Sequence, residues 1–155
     1  MEQGVSMGKV QIMVDEATGI LLATEMANLY GIPYIWGGKD PATGLDCSGA
    51  VALCFERLGL VPKGWGHTHN ADAIRDYCVP ICKAEARPGD VLCFGSPLRI
   101  NHVMMCVGEG VCMGAQGGGP KCLTREIAER IGACVKRQPD YYRHDLVEYV
   151  RPPRA

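Results

Sequence analysis

Apolar residues along the chain follow one spacing before Pro88 and another after it. From Asp15 to Tyr30, apolar groups at Ala17, Ile20, Leu21, Ala27 and their neighbours recur near the 3.6-residue period of a helix. Gly31, with Pro33 beyond it, closes that run. The stretch PYIWGGKDPATGLDCSG, residues 33–49, is rich in glycine and proline and reads as a loop. From Cys47 the run SGAVALCFERLGL predicts a buried helix that stops near Gly59, and GWGHTHNADAIRDYC reads as a loop leading into a short helix. Beyond Pro88 the apolar runs shorten. Asp90–Phe94, His102–Val107, Val111–Ala115 and Leu146–Val150 are partly β-branched and bounded by glycine or proline, which predicts strands. Leu123–Ile131, opened by Thr124, predicts a helix between the last two of them. Helices first and strands after define an α+β fold, with N-terminal helices packed on an antiparallel sheet.

Composition narrows the setting. At 155 residues the chain is read as one domain, with residues 1–14 taken as a tail, an expression remnant or a piece of a longer protein. Hydrophobic residues make up 47% and charged residues 21%, enough for a packed core and unlike a disordered chain. A formal net charge of −1 argues against a nucleic-acid or anionic-membrane partner recruited by bulk charge. No apolar run approaches a bilayer-spanning length. The start, MEQGVSMGKVQIM, lacks a basic segment followed by an apolar stretch, so no signal peptide is expected and synthesis in the cytoplasm is. Nine cysteines is an odd count, which fits free, buried thiols in a reducing compartment better than a disulfide framework. Their spacings, such as Cys78-x3-Cys82 and Cys106-x5-Cys112, do not form the tight pairs of a zinc site.

One cysteine stands apart. Asp46-Cys47-Ser48-Gly49 lies where the glycine-rich loop enters a helix. There the helix dipole and unpaired N–H groups favour a thiolate, which is the nucleophilic form. The same N–H groups can hold the oxyanion formed when a carbonyl is attacked. Asp46 is expected to cap the helix, and its charge calls for a cationic partner to the thiolate. His102 is the candidate: it opens an apolar strand where an imidazole has no packing role, and it follows Cys47 by 55 residues. The expected resting state is a thiolate–imidazolium pair. A third group must orient the imidazole. If Gly108-Glu109-Gly110 is a three-residue hairpin loop, Val107 faces Val111, and His102 then lies opposite Gln116 on one face. The Gln116 amide oxygen is the expected orienting group.

Four segments, in order, resemble the NlpC-type cysteine peptidases, cell-wall hydrolases with a papain-like core. They are Tyr34-Ile35-Trp36-Gly37-Gly38, Asp46-Cys47-Ser48-Gly49, Arg87-Pro88-Gly89-Asp90 and Asn101-His102-Val103. The resemblance implies that Cys47 is the nucleophile, His102 the base and Tyr34 a hydroxyl near the oxyanion. It implies hydrolysis of peptidoglycan stem peptides, at the bond joining γ-linked D-glutamate to diaminopimelate or lysine, with no cofactor or metal. The family's third polar residue stands twelve positions after the base, where this chain has Gly114; Gln116 is the substitute. The closing YYRHDLVEYVRPP resembles versions from bacteriophage tails and prophages. That likeness implies phage tail proteins as partners, and location in a virion or release on lysis.

Asp46, Ser48, Trp36 and His69 form the expected substrate-facing set, although the residues by themselves favour a core aromatic at Trp36 and a solvated loop at His69. His67 and His69 fall on opposite sides of an extended segment and do not make a metal pair. Gly117-Gly118-Gly119 lacks the lysine and hydroxyl residue of a phosphate loop. Two other functions fit the same core: an acyltransferase or amidase acting on a non-wall substrate, and an inert phage-tail module whose triad has decayed.

Overall fold

A computed structural model describes residues 12–155; the rest of the expected N-terminal tail, residues 1–11, lies outside the described residues. Residues 12–14, assigned to that tail from the sequence, run antiparallel to the C-terminus. Val14 N–H donates to Pro152 O at 3.1 Å, and Arg154 N–H to Ile12 O at 2.7 Å.

Helix α1, Glu16–Ala27, is capped by the Asp15 carboxylate, which accepts from Thr18 N–H. The apolar stripe chosen from its periodicity is the wrong one. Ala17, Ile20, Leu21 and Ala27 face solvent, while Gly19, Leu22, Ala23 and Met26 are buried. The helix is apolar on more than one side, so spacing could not select the core face. Gly19 selects it: an added Cβ would come within 2.3 Å of Pro88 O, so α1 rests directly on the turn before Asp90.

The expected loop contains a small hairpin, β1 (Lys39–Asp40) paired with β2 (Gly44–Leu45). Helix α2, Cys47–Arg57, follows at once and buries eight of its residues, making it the central helix of the core. After a 3-10 turn at Trp65–Thr68 comes α3, Ala71–Tyr77, and then strand β3, Val79–Ile81.

The main sheet has six strands in the order β3-β8-β4-β5-β6-β7, with all neighbours antiparallel. Four of them were expected: β4 (Val91–Ser96), β5 (Arg99–Gly108), β6 (Val111–Gln116) and β8 (Leu146–Arg151). The two missed strands are its edges. β3 carries Pro80, which a strand tolerates at an edge, and β7 (Cys134–Pro139) is mostly polar. Helix α4, Arg125–Ile131, therefore lies between β6 and β7 rather than between the last two strands. The β5–β6 hairpin keeps the expected register, Cys106 against Cys112 and Met105 against Met113. Its turn is tighter than the three-residue loop, with Gly108 against Val111 and a bulge at Val107.

The helices cover one face of the sheet, where Val103, Met105, Met113 and Ala115 join Leu22, Val51 and Phe55. A smaller cluster on the other face holds Leu92, Phe94, Met104, Cys106, Cys112 and Tyr149. The Arg-Pro-Gly-Asp turn is tied to the last strand from within. Arg151 donates through Nε to Asp90 Oδ1 at 2.7 Å and through Nη2 to Oδ2 at 2.9 Å, both groups being buried.

Candidate active site

The β1–β2 hairpin and the N-terminus of α2 are built on each other. Asp46 caps the helix, its Oδ1 accepting from Gly49 N–H at 2.7 Å. A Cβ at Gly49 would fall 2.4 Å from Gly38 O, so only glycine admits this approach. Lys39 reaches back from β1. Its Nζ lies 3.0 Å from Asp46 Oδ1 and 2.9 Å from Ser48 Oγ. Lys39 thereby balances the Asp46 charge beside Cys47, a role the sequence did not suggest because the partners are seven and nine residues apart in a loop.

Cys47 is 8% exposed and His102 7%. Both line a cavity of about 540 Å³, together with Tyr34, Trp36, Asn101, Gln116, the Gly117–Gly119 run, Tyr142 and Arg143. That volume is ample for part of a peptide. Strand β5 delivers His102 opposite Phe94, beside a bulge at Gly95, whose φ of +135° suits glycine. The Phe94 and His102 rings lie 5.4 Å apart.

Burial opposes both charges that the sequence expectation requires. Burial pushes the Cys47 thiol up to about 11, against the pull of the Val103 and Ser48 N–H groups and of Lys39. Burial also lowers the His102 imidazole to about 4, and Arg143 adds to this while Asp145 opposes it. Both shifts favour the neutral thiol–imidazole pair over the expected thiolate–imidazolium pair, because each charge alone would stand in a desolvated site.

The expected orienting bond is not the one present. His102 Nε2 lies 2.7 Å from Tyr142 Oη, while Gln116 Nε2 is buried without a partner. Gln116 does share the cavity wall, 7% exposed. Tyr142 was missed because it comes from the β7–β8 loop, and nothing local in YYRHD marks one tyrosine as facing an imidazole 40 residues earlier.

The other expected residues divide. Tyr34 is buried on the cavity wall, and its phenol is raised, chiefly by burial. Gly118 lies against its ring, where a Cβ would meet Cδ1 at 2.2 Å, which gives the glycine run a packing role. Trp36 is half exposed at the rim and is not a core aromatic. Asp46 and Ser48 do not line the cavity; they hold Lys39 behind it. His69 is likewise outside the lining, stacked on Trp65 at 3.7 Å with Nδ1 2.7 Å from Trp65 O. All nine cysteines are free, with Cys82 exposed. Among the described residues no cluster of three or more His, Cys, Asp or Glu could hold a metal ion.

A cysteine at a capped helix N-terminus, sharing a cavity with a histidine on an antiparallel sheet, is the arrangement of the papain-like cysteine peptidases. Within that class the chain belongs to the NlpC/P60 family, whose model matches residues 31–133. It is 34% identical over 98 residues to a probable endopeptidase p60 of Listeria grayi, covering 63% of this chain and 18% of that one. It is 36% identical over 93 residues to the bifunctional muramidase/DL-endopeptidase CwlT of Bacillus subtilis, covering 57% and 26%. The matched segment thus spans only 18% and 26% of these relatives' lengths. The crystal structure of the NlpC/p60 domain of the peptidoglycan hydrolase SagA superposes with a TM-score of 0.64 at 26% identity, over 86% of this chain and 97% of that domain.

Proposed function

We propose that the chain is a cysteine endopeptidase that cuts peptidoglycan stem peptides, at the bond between γ-linked D-glutamate and diaminopimelate or lysine. The observation that carries this reading is the meeting of Cys47 and His102 on one 540 Å³ cavity, at a capped helix N-terminus. The neutral pair sets the order of events. As Cys47 Sγ attacks the carbonyl carbon, its proton passes to His102, so charge develops only as the bond forms. The oxyanion is held by the Cys47 N–H at the start of α2, with the Tyr34 hydroxyl on the same wall. His102 then protonates the leaving amine, and a thioester remains on Cys47. Water, deprotonated by His102, hydrolyses it. Names of relatives that include endopeptidase and peptidoglycan hydrolase support the substrate class.

Mass spectrometry of muropeptides incubated with the native chain and with Cys47→Ala tests the proposal. Cleavage after D-glutamate by the native chain alone is expected. A product joined to an added amine instead of water identifies an acyltransferase, and no cleavage by either chain removes the wall substrate. Association with a phage tail rests on the closing YYRHDLVEYVRPP alone; absence of the protein from purified virions of its host's phages would remove it.

A further inference from the structure

We propose that Tyr142, from the loop between β7 and β8, is the residue that positions His102, taking the task that Gln116 and the family's position at Gly114 do not perform here. The inference rests on the reading of Cys47 and His102 as nucleophile and base. To take the thiol proton, the imidazole needs one nitrogen free towards Cys47 and the other held. Nε2 is the held nitrogen, 2.7 Å from Tyr142 Oη, which leaves Nδ1 for the sulfur.

Position 114 cannot supply the third group. A Cβ there would fall 2.8 Å from Met104 Sδ, so the methionine already fills that space on the sheet face. Gln116 lies on the cavity wall, yet its Nε2 has no partner.

Tyr142, by contrast, is held on several sides. Its N–H donates to Pro139 O at 3.0 Å, and its ring stands edge-on to Phe94 with centroids 5.6 Å apart. The next residue, Arg143, lies over the same Phe94 ring and pairs with Asp145 through Nε at 2.8 Å. Asp145 O in turn accepts from Gly95 N–H at 2.9 Å, at the bulge beside His102. The loop therefore arrives locked, and its hydroxyl is aimed before substrate binds. A phenol orients an imidazole without adding negative charge, in keeping with the neutral resting pair.

The test uses Tyr142→Phe and Gln116→Leu in the full chain, read in two ways. Nitrogen-15 NMR of the His102 ring in the free protein should show a single tautomer with the proton on Nε2. Tyr142→Phe should mix the tautomers and speed exchange of that proton, whereas Gln116→Leu should keep the native ring spectrum. On a stem peptide, Tyr142→Phe should lower kcat by roughly tenfold or more, short of the 10²–10⁴ of losing the base itself, with KM within about twofold. A ring spectrum indifferent to Tyr142→Phe, or altered by Gln116→Leu instead, overturns the assignment, as does an unchanged kcat in Tyr142→Phe. The spectrum needs no substrate, so it decides the ring's partner even if no wall peptide is cut.

Discussion

Burial of the Cys47 thiol sets how fast it should react with an electrophile, and pH is the perturbation that exposes it. A small free thiol of pKa ~8.5 is about 3% ionised at pH 7. With Cys47 pushed up to about 11, roughly one molecule in 10⁴ carries the thiolate at that pH, two to three orders of magnitude fewer. Alkylation by iodoacetamide should then climb about tenfold per pH unit from pH 6 to pH 10, with no plateau near neutrality. Peptide-resolved mass spectrometry follows each of the nine cysteines separately, and exposed Cys82 marks the rate of an accessible site. At pH 7 Cys47 should label more slowly than Cys82. The opposite result refutes the reasoning: a flat, fast rate for Cys47 from pH 5 to pH 8 would mean that the pair is charged at rest. Burial would then be outweighed by attraction between thiolate and imidazolium, and the attack step would need no coupled proton transfer.

Two further outcomes follow from buried charge. His102, lowered to about 4 in the fold against 6.5 when unfolded, takes a proton more readily in the unfolded chain. Its contribution is therefore complete above pH 6.5 and is lost as pH falls towards 4, by about 3 kcal/mol in all. Urea unfolding across that window should show the loss in the native chain and little of it in His102→Gln; equal slopes would refute it. Asp90→Ala strands the Arg151 guanidinium, buried at 7% exposure, and should cost about 3–5 kcal/mol in the same assay. A loss below about 1 kcal/mol would mean that solvent reaches Arg151, and that the pair does not tie the turn to the last strand.

Much of this protein was legible because its signals are local. Helix α2 begins where a capping aspartate meets an apolar run, so the start of the helix, with Cys47 as its first residue, could be read from Asp46-Cys47-Ser48-Gly49. Strands β4, β5, β6 and β8 announce themselves by short apolar runs between glycines and prolines, and the period of two in a hairpin placed His102 and Gln116 on one face. Edge strands β3 and β7 did not, because an edge needs neither a continuous apolar run nor freedom from proline. The core face of α1 was decided by a contact between Gly19 and Pro88, which no periodicity contains.

The site divides in the same way. Sequence singled out Cys47 and His102 as the candidate pair, since a nucleophile and a base must be particular residue types at element ends. The protons on them, and the group that aims the base, depend on distance and burial. Lys39 beside Asp46, the desolvation of Cys47 and His102, and the Tyr142 hydroxyl at Nε2 all arise where segments far apart in the chain meet. Spacing along a sequence constrains neighbours on one element, and electrostatics and hydrogen bonding act between neighbours in space, so only the tertiary structure could decide them.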